Sequence, residues 1–259
     1  ETDRLSDFGY KNTKTGISIG TDFEYYDDLI LGLGFNSYYE DIKTDSTASS
    51  QQQKLSGNYF DNFISLSLDY DKRNQKFQTS QGFRNYFSTD LPLISETNTL
   101  ANTFISTNYY EYFNNNILKS SFYFKNANSI TGENVKLSER LSLPSNRLRG
   151  FESGKVGPKD GNDYIGGNFA AALTVSSTVP KILENSENAD LLIFLDAGNV
   201  WGVDYDSSLN DGDEIRSAIG IGLNLLTPIG PLSFTLAEPI SKSDSDITES
   251  FRFNLGTTF

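Results

Sequence analysis

The sequence predicts an all-β chain, and within that class a transmembrane antiparallel β-barrel, seen in part, with about eleven strands of ~10-residue span. Three observations predict it. Apolar and polar residues alternate strictly along many segments. Aromatic residues are plentiful (19 Phe, 14 Tyr, 1 Trp), although only 37% of the 259 residues are hydrophobic. The connections between alternating segments are long on one side and short on the other. A wall that is greasy on one face, with aromatic girdles at its rims, needs this balance. A disordered chain would be poor in aromatic residues.

Alternation sets the strands in order. Leu29, Leu31, Leu33 and Phe35 alternate with Ile30, Gly32, Gly34 and Asn36. Ile64, Leu66, Leu68 and Tyr70 alternate with Ser65, Ser67 and Asp69. Leu191, Ile193, Leu195 and Ala197 share one face, while Phe194, Asp196 and Gly198 share the other. Ile219, Ile221, Leu223 and Leu225 stand against Ala218, Gly220, Gly222 and Asn224. Leu232, Phe234 and Leu236 stand against Ser233, Thr235 and Ala237. Phe251, Phe253, Leu255, Thr257 and Phe259 close the chain. In a soluble sandwich the apolar face would be the core; in a membrane barrel it meets lipid, and the polar or glycine face meets the lumen. Alternation alone fits both.

Loop lengths favour the barrel. Turns at 24–28, 114–116 and 227–231 are short, and loops at 40–58, 126–166, 202–213 and 241–249 are long. Counted in order, the long ones fall on one side, as in membrane barrels. Connections at 71–81, 92–98 and 180–190 are intermediate. An odd strand count puts the chain ends on opposite sides, whereas bacterial single-chain barrels have even counts. The expectation is therefore a piece that begins partway round a larger barrel. A first residue of Glu1 and the absence of methionine fit a piece of a longer product.

Composition excludes several function classes. The longest apolar run, 191–195, is far short of the ~20 residues of a membrane helix. Mean hydropathy is −0.42. With no Cys and no His, the chain has no thiol nucleophile, no Ser–His pair and no zinc-thiolate site. A net charge of −13 argues against nucleic acid as a partner. No cofactor or metal is expected. Five carboxylates in Asp204–Glu214 suggest calcium, but Leu209 stands where an EF-hand needs glycine and Ile215 where it needs glutamate. An acidic outer loop is the better reading. The pairs Gly32/Gly34 and Gly220/Gly222 lie within strands, so close packing in the lumen explains them better than phosphate binding.

Five motifs, in register, carry a resemblance. They are "YDKRNQKFQTSQG" (70–82), Leu148-Arg149-Gly150-Phe151 followed by Gly157-Pro158, "FLDAGNVW" (194–201), "TPIGPLSFTLAEPI" (227–240) and "FRFNLGTTF" (251–259). Together they resemble the BamA family of barrel-assembly insertases of Gram-negative outer membranes, kin of the Sam and Toc channels of organelles. Asn74 and Thr79 replace that family's usual Asp and Pro, and Pro144-Ser145-Asn146 replaces Gly-Gly-Asp before the loop motif. The resemblance implies that residues 1–259 are the C-terminal portion of a sixteen-stranded barrel domain, with the periplasmic POTRA domains and the first strands absent.

It also implies a site. The long loop folds back into the lumen, and Arg149 faces the inner wall. An arginine there needs a carboxylate, and Asp196 on the lumen face is the candidate. Gly150 permits the turn and Phe151 wedges the loop tip. A glutamate that meets this arginine in the family is expected to be replaced near Ser176, leaving one acidic partner of two. Gly256 and Phe259 would mark a kink and a seam where the last strand opens sideways.

The implied function is non-enzymatic. It is the folding and insertion of unfolded outer-membrane proteins by strand pairing at that seam, with accessory lipoproteins and outer-membrane lipid as partners. The alternatives are a translocation pore of the two-partner-secretion type and a generic porin.

Overall fold

The computed structural model describes residues 2–5, 8–76, 78–179, 189–209, 212–227 and 230–255. Twelve strands form one antiparallel sheet that follows chain order apart from one small detour. They are β1 (Thr2–Leu5), β2 (Tyr10–Tyr26), β3 (Leu29–Thr44), β4 (Gly57–Asp71), β5 (Gly82–Ser95), β6 (Thr99–Tyr112), β7 (Asn116–Ser129), β10 (Phe169–Thr178), β11 (Ala189–Trp201), β12 (Arg216–Thr227), β13 (Gly230–Ser241) and β14 (Phe251–Leu255). The detour is a two-stranded ribbon, β8 (Lys159–Asp160) with β9 (Asp163–Tyr164), inside the loop between β7 and β10. Among the described residues no pairing joins β1 to β14, so the wall is an open arc.

The two faces settle the choice that alternation left open. Ile193, Leu195, Ile219, Ile221, Phe251, Phe253 and Leu255 all lie exposed on one side. A sandwich would bury this row; a barrel presents it to hydrocarbon, and strands of this length cross a bilayer without unpaired interior backbone. The opposite face carries Phe194, Asp196, Ala218, Ala237 and Thr174, all buried. What buries them is the returning loop: Val135, Leu141, Leu143, Leu148, Phe151 and Val156 pack on Tyr123, Ala127, Ala170, Ala172, Val200 and Ala218 of the wall. The core therefore lies inside the arc, between wall and loop.

Strands β2–β7 and β10–β14 make up the expected count of about eleven, and the four-residue β1, too short to show alternation, adds a twelfth among the described residues. One reading needs correction. The connection expected at 92–98 is a three-residue turn at 96–98, on the long-loop side, because β5 runs through Pro92. The ladder tolerates that proline by a register shift: Asn62 pairs with Ile94 and Phe63 with Pro92, leaving Leu93 bulged. Pro239 in β13 is handled the same way, with Ser217 opposite Ser241 and Ala218 opposite Pro239. Bulges are where a strand can hold a residue that has no N–H. The first long loop also contains a helix, α1 (Ser50–Lys54), started by a capping box. The Gln52 N–H donates to Ser49 Oγ at 3.1 Å, and the Ser49 N–H donates to Gln52 Oε1 at 3.0 Å.

Candidate functional site: an arginine hook in the lumen

The loop between β7 and β10 is long but tightly held. Leu141 and Gly167 exchange two backbone bonds at its neck, of 2.7 and 2.9 Å. A turn follows in which the Arg147 N–H donates to Pro144 O at 2.9 Å, and the next residues reach the wall. There the Asp196 carboxylate accepts three bonds from Arg149: from the backbone N–H at 3.0 Å, from Nε at 2.8 Å and from Nη2 at 2.8 Å. The guanidinium also lies 3.4 Å above the Phe194 ring. A planar cation is thus held edge-on by a carboxylate and face-on by an aromatic ring, both from β11. Asp196 is fully buried and Arg149 is 16% exposed.

Small residues make this approach possible. Gly150 sits at φ +91°, where a side chain would be strained, and a Cβ there would lie 3.1 Å from Ala218 Cβ and 3.3 Å from Ala237 Cβ. A Cβ at Gly220 would overlap the Phe194 ring. Gly220 in β12 therefore makes room for the ring that carries the arginine. Gly157, also left-handed at φ +102°, lets the loop pass Val200 at a separation that would put a Cβ 2.8 Å away. Leu148 and Phe151 are buried on either side of the hook. The backbone from 150 to 152 pairs with the last loop: Glu249 N–H donates to Gly150 O at 3.0 Å and Glu152 N–H to Ile247 O at 2.9 Å.

The structure thus brings together Leu148, Arg149, Gly150, Phe151 and Asp196. Ser176 lies on the lumen face, in register with Phe194 and Lys119, and Asp196 is the carboxylate that Arg149 bonds among the described residues. Gly256 and Phe259 lie outside the described residues. Asp204, considered for calcium, instead staples two loops. It binds Arg140, accepts from Val135 N–H at 2.8 Å, and accepts from Asn168 Nδ2 at 3.1 Å. Burial raises its pKa and Arg140 lowers it; the net effect holds the carboxyl below its ordinary value.

Sequence reasoning missed the other anchors. Lys136 is almost fully buried, 3.0 Å from Glu40 Oε2 and 3.1 Å from Glu139 Oε1, and it also binds Asp61. Asn12 Nδ2 donates to Glu40 Oε1 at 2.9 Å, and the Tyr38 and Tyr59 rings flank the ammonium. Arg216, fully buried, donates to Asp246 at 2.9 and 3.0 Å and to Asn199 Oδ1 at 2.6 Å. Arg252 reaches from β14 to Phe151 O at 2.7 Å and to Glu249. Strand parity did carry a signal for two of these groups. Extending the outward rows of β3 and β4 puts Glu40 and Asp61 on the inner face, where a carboxylate needs a partner.

An arc of membrane strands with its apolar face outward, gripping its own returning loop, defines an outer-membrane β-barrel. The chain belongs to the Omp85 superfamily, whose domain matches residues 2–259. It is 25% identical over 256 residues to the outer membrane protein assembly factor BamA of Neorickettsia risticii, a match covering 96% of this chain and 34% of that protein. It is 33% identical over 139 residues to BamA of Neisseria meningitidis, covering 43% of this chain and 17% of that protein. The fold is shared with the crystal structure of Haemophilus ducreyi BamA lacking POTRA domains 1–3, with a TM-score of 0.87 at 22% identity, covering 96% of this chain and 55% of that one. The chain thus spans about a third of the length of the Neorickettsia protein.

Proposed function

We propose that the chain is the barrel portion of an outer-membrane insertase, which helps unfolded barrel proteins fold into the membrane without covalent chemistry. The observation that carries the reading is the loop locked into the lumen by Arg149 and Asp196, in a chain of the Omp85 superfamily. A plugged lumen disfavours steady conduction, which a generic porin would need. It leaves the wall itself as the working surface. On this reading β14, which pairs with β13 over Leu232–Leu236 and stands at the end of the described sheet, is one lip of a lateral seam. A client strand pairs with the lip and so forms its backbone hydrogen bonds shielded from lipid, avoiding several kcal/mol for each bond left unmade. The partners on this reading are unfolded outer-membrane proteins, accessory lipoproteins of an assembly complex and the surrounding lipid.

The test is a disulfide lock in the complete protein between β14 and the strand that faces it across the seam. Locked protein should lose client insertion and regain it on reduction. Full insertion by locked protein would sink the seam. Steady single-channel current through the complete barrel would favour a pore instead.

A further inference from the structure

Three cations, Arg149, Arg147 and Lys119, crowd one part of the lumen, and among the described residues only Arg149 pairs with a carboxylate. Arg149 occupies Asp196 with three bonds. Arg147, two residues earlier in the loop, donates to Ser121 Oγ at 2.7 Å and lies over the Tyr123 ring; both partners are uncharged and both belong to β7. Lys119, on the same inner face of β7, has its ammonium 5.6 Å from the centre of the Tyr109 ring and no ion pair among the described residues. The charges that bear on Lys119 are Arg147, Arg149, Arg73 and Asp196, three of them positive. Arg73 takes Asp71 and Arg149 takes Asp196; Glu111, one row nearer the short turns on β6, accepts from Gln81 Nε2 at 3.3 Å. Burial pushes the Arg147 guanidinium below its ordinary value.

Register fixes the shape of this patch. Ser121, Thr174 and Asp196 form one row across β7, β10 and β11; Lys119, Ser176 and Phe194 form the next row toward the short turns. Two cations therefore flank a floor of hydroxyls, Ser121, Thr174 and Ser176. The Leu148/Phe151 cluster closes the lumen on the loop side. Lys119 lies three residues from the turn at Asn116, toward the opposite mouth.

We propose that Lys119 and Arg147, over Ser176 and Thr174, form an anion site that takes an Asp or Glu carboxylate of a polypeptide segment entering the lumen from the short-turn side. The choice of a client segment as occupant rests on the insertase reading; the anion chemistry rests on the cations alone. A guanidinium and an ammonium above hydroxyl donors match a carboxylate, which accepts several bonds at once.

The experiment uses the complete protein in detergent and a short fluorescent peptide of alternating Leu and Ser with one central Asp, against its Asn twin. The Asp peptide should bind about tenfold more tightly, the scale of one charge-assisted contact. Lys119→Gln with Arg147→Gln should erase that preference. So should Lys119→Gln alone, which keeps the test open if the double variant misfolds. Displacement of the peptide by inorganic phosphate at fixed ionic strength supports the same anion chemistry. Equal binding of the Asp and Asn peptides, or a preference that survives both variants, overturns the site. Client insertion is scored separately. A protein that inserts clients but shows no preference refutes this site alone, and one that shows the preference but inserts nothing refutes the insertase reading alone.

Discussion

Asp196 holds a backbone N–H and the Nε/Nη2 edge of a guanidinium, so its loss unmakes three bonds at once. Removing one partner of such a pair strands a buried charge, at a cost of roughly 3–5 kcal/mol, less what solvent recovers at the partly exposed Arg149. Arg149→Ala and Asp196→Ala should each loosen the loop, and the double variant should cost little more than either. Protease protection of residues 130–168, read through a double-mutant cycle, checks this; additive effects would deny the contact. Gly150→Ala should also loosen the hook although no charge changes, because φ +91° disfavours a side chain and the new methyl meets Ala218 and Ala237. Leu148→Met, by contrast, conserves volume at this buried position and should leave protection near that of the parent.

At the scale of elements, the loops are tied to each other and to the wall by buried ions. Asp204 joins the β11–β12 loop to Arg140 and Val135 of the hook loop. Its folded carboxyl is depressed below the ordinary 3.8. Its contribution is therefore complete above that value and is lost as pH falls through the lower, folded one. Pepsin sensitivity of residues 130–140 should rise on acidification below about pH 4, and Asp204→Asn should show the raised sensitivity already at neutral pH. Lys136, next to Val135, ties the same stretch of the loop to β3 and β4. Lys136→Met leaves Glu40 and Asp61 facing each other, and that like-charge contact should loosen the loop around 136–140 from β3 and β4. Hydrogen exchange at the Glu139 and Arg140 amides, which close the short helical turn after Lys136, would report it.

For the whole molecule, the decisive asymmetry is between the two faces of one sheet. Ile221 points to hydrocarbon, while Ser233, paired by its hydroxyl to Asn224, points to the lumen. Ile221→Arg should cost about 2–4 kcal/mol of barrel stability in vesicles, near the bilayer midplane, and Ser233→Arg much less. Denaturant unfolding of the complete protein measures both. Equal costs would mean that the outer face is not in contact with lipid.

Parity made much of this legible before any coordinates. The rows through Ile219 and Phe251, the inward aim of Asp196 and the small residues of β12 all follow from a period of two, which any strand must obey. The resemblance to a known family then paired Arg149 with Asp196. What stayed hidden has a common cause: it is neither periodic nor local. Lys136 lies 96 residues from Glu40 and 75 from Asp61, and nothing near Lys136 in the chain distinguishes it from a solvated loop lysine. The bulges that admit Pro92 and Pro239 depend on the neighbouring strand's register, which a single strand does not encode. By itself the sequence determined which residues of each strand share a face, because alternation is a property of the strand alone; that the apolar face is the exposed outer one came from the structure. Only the tertiary structure decided which charge meets which, because that depends on the path by which the loops return into the lumen.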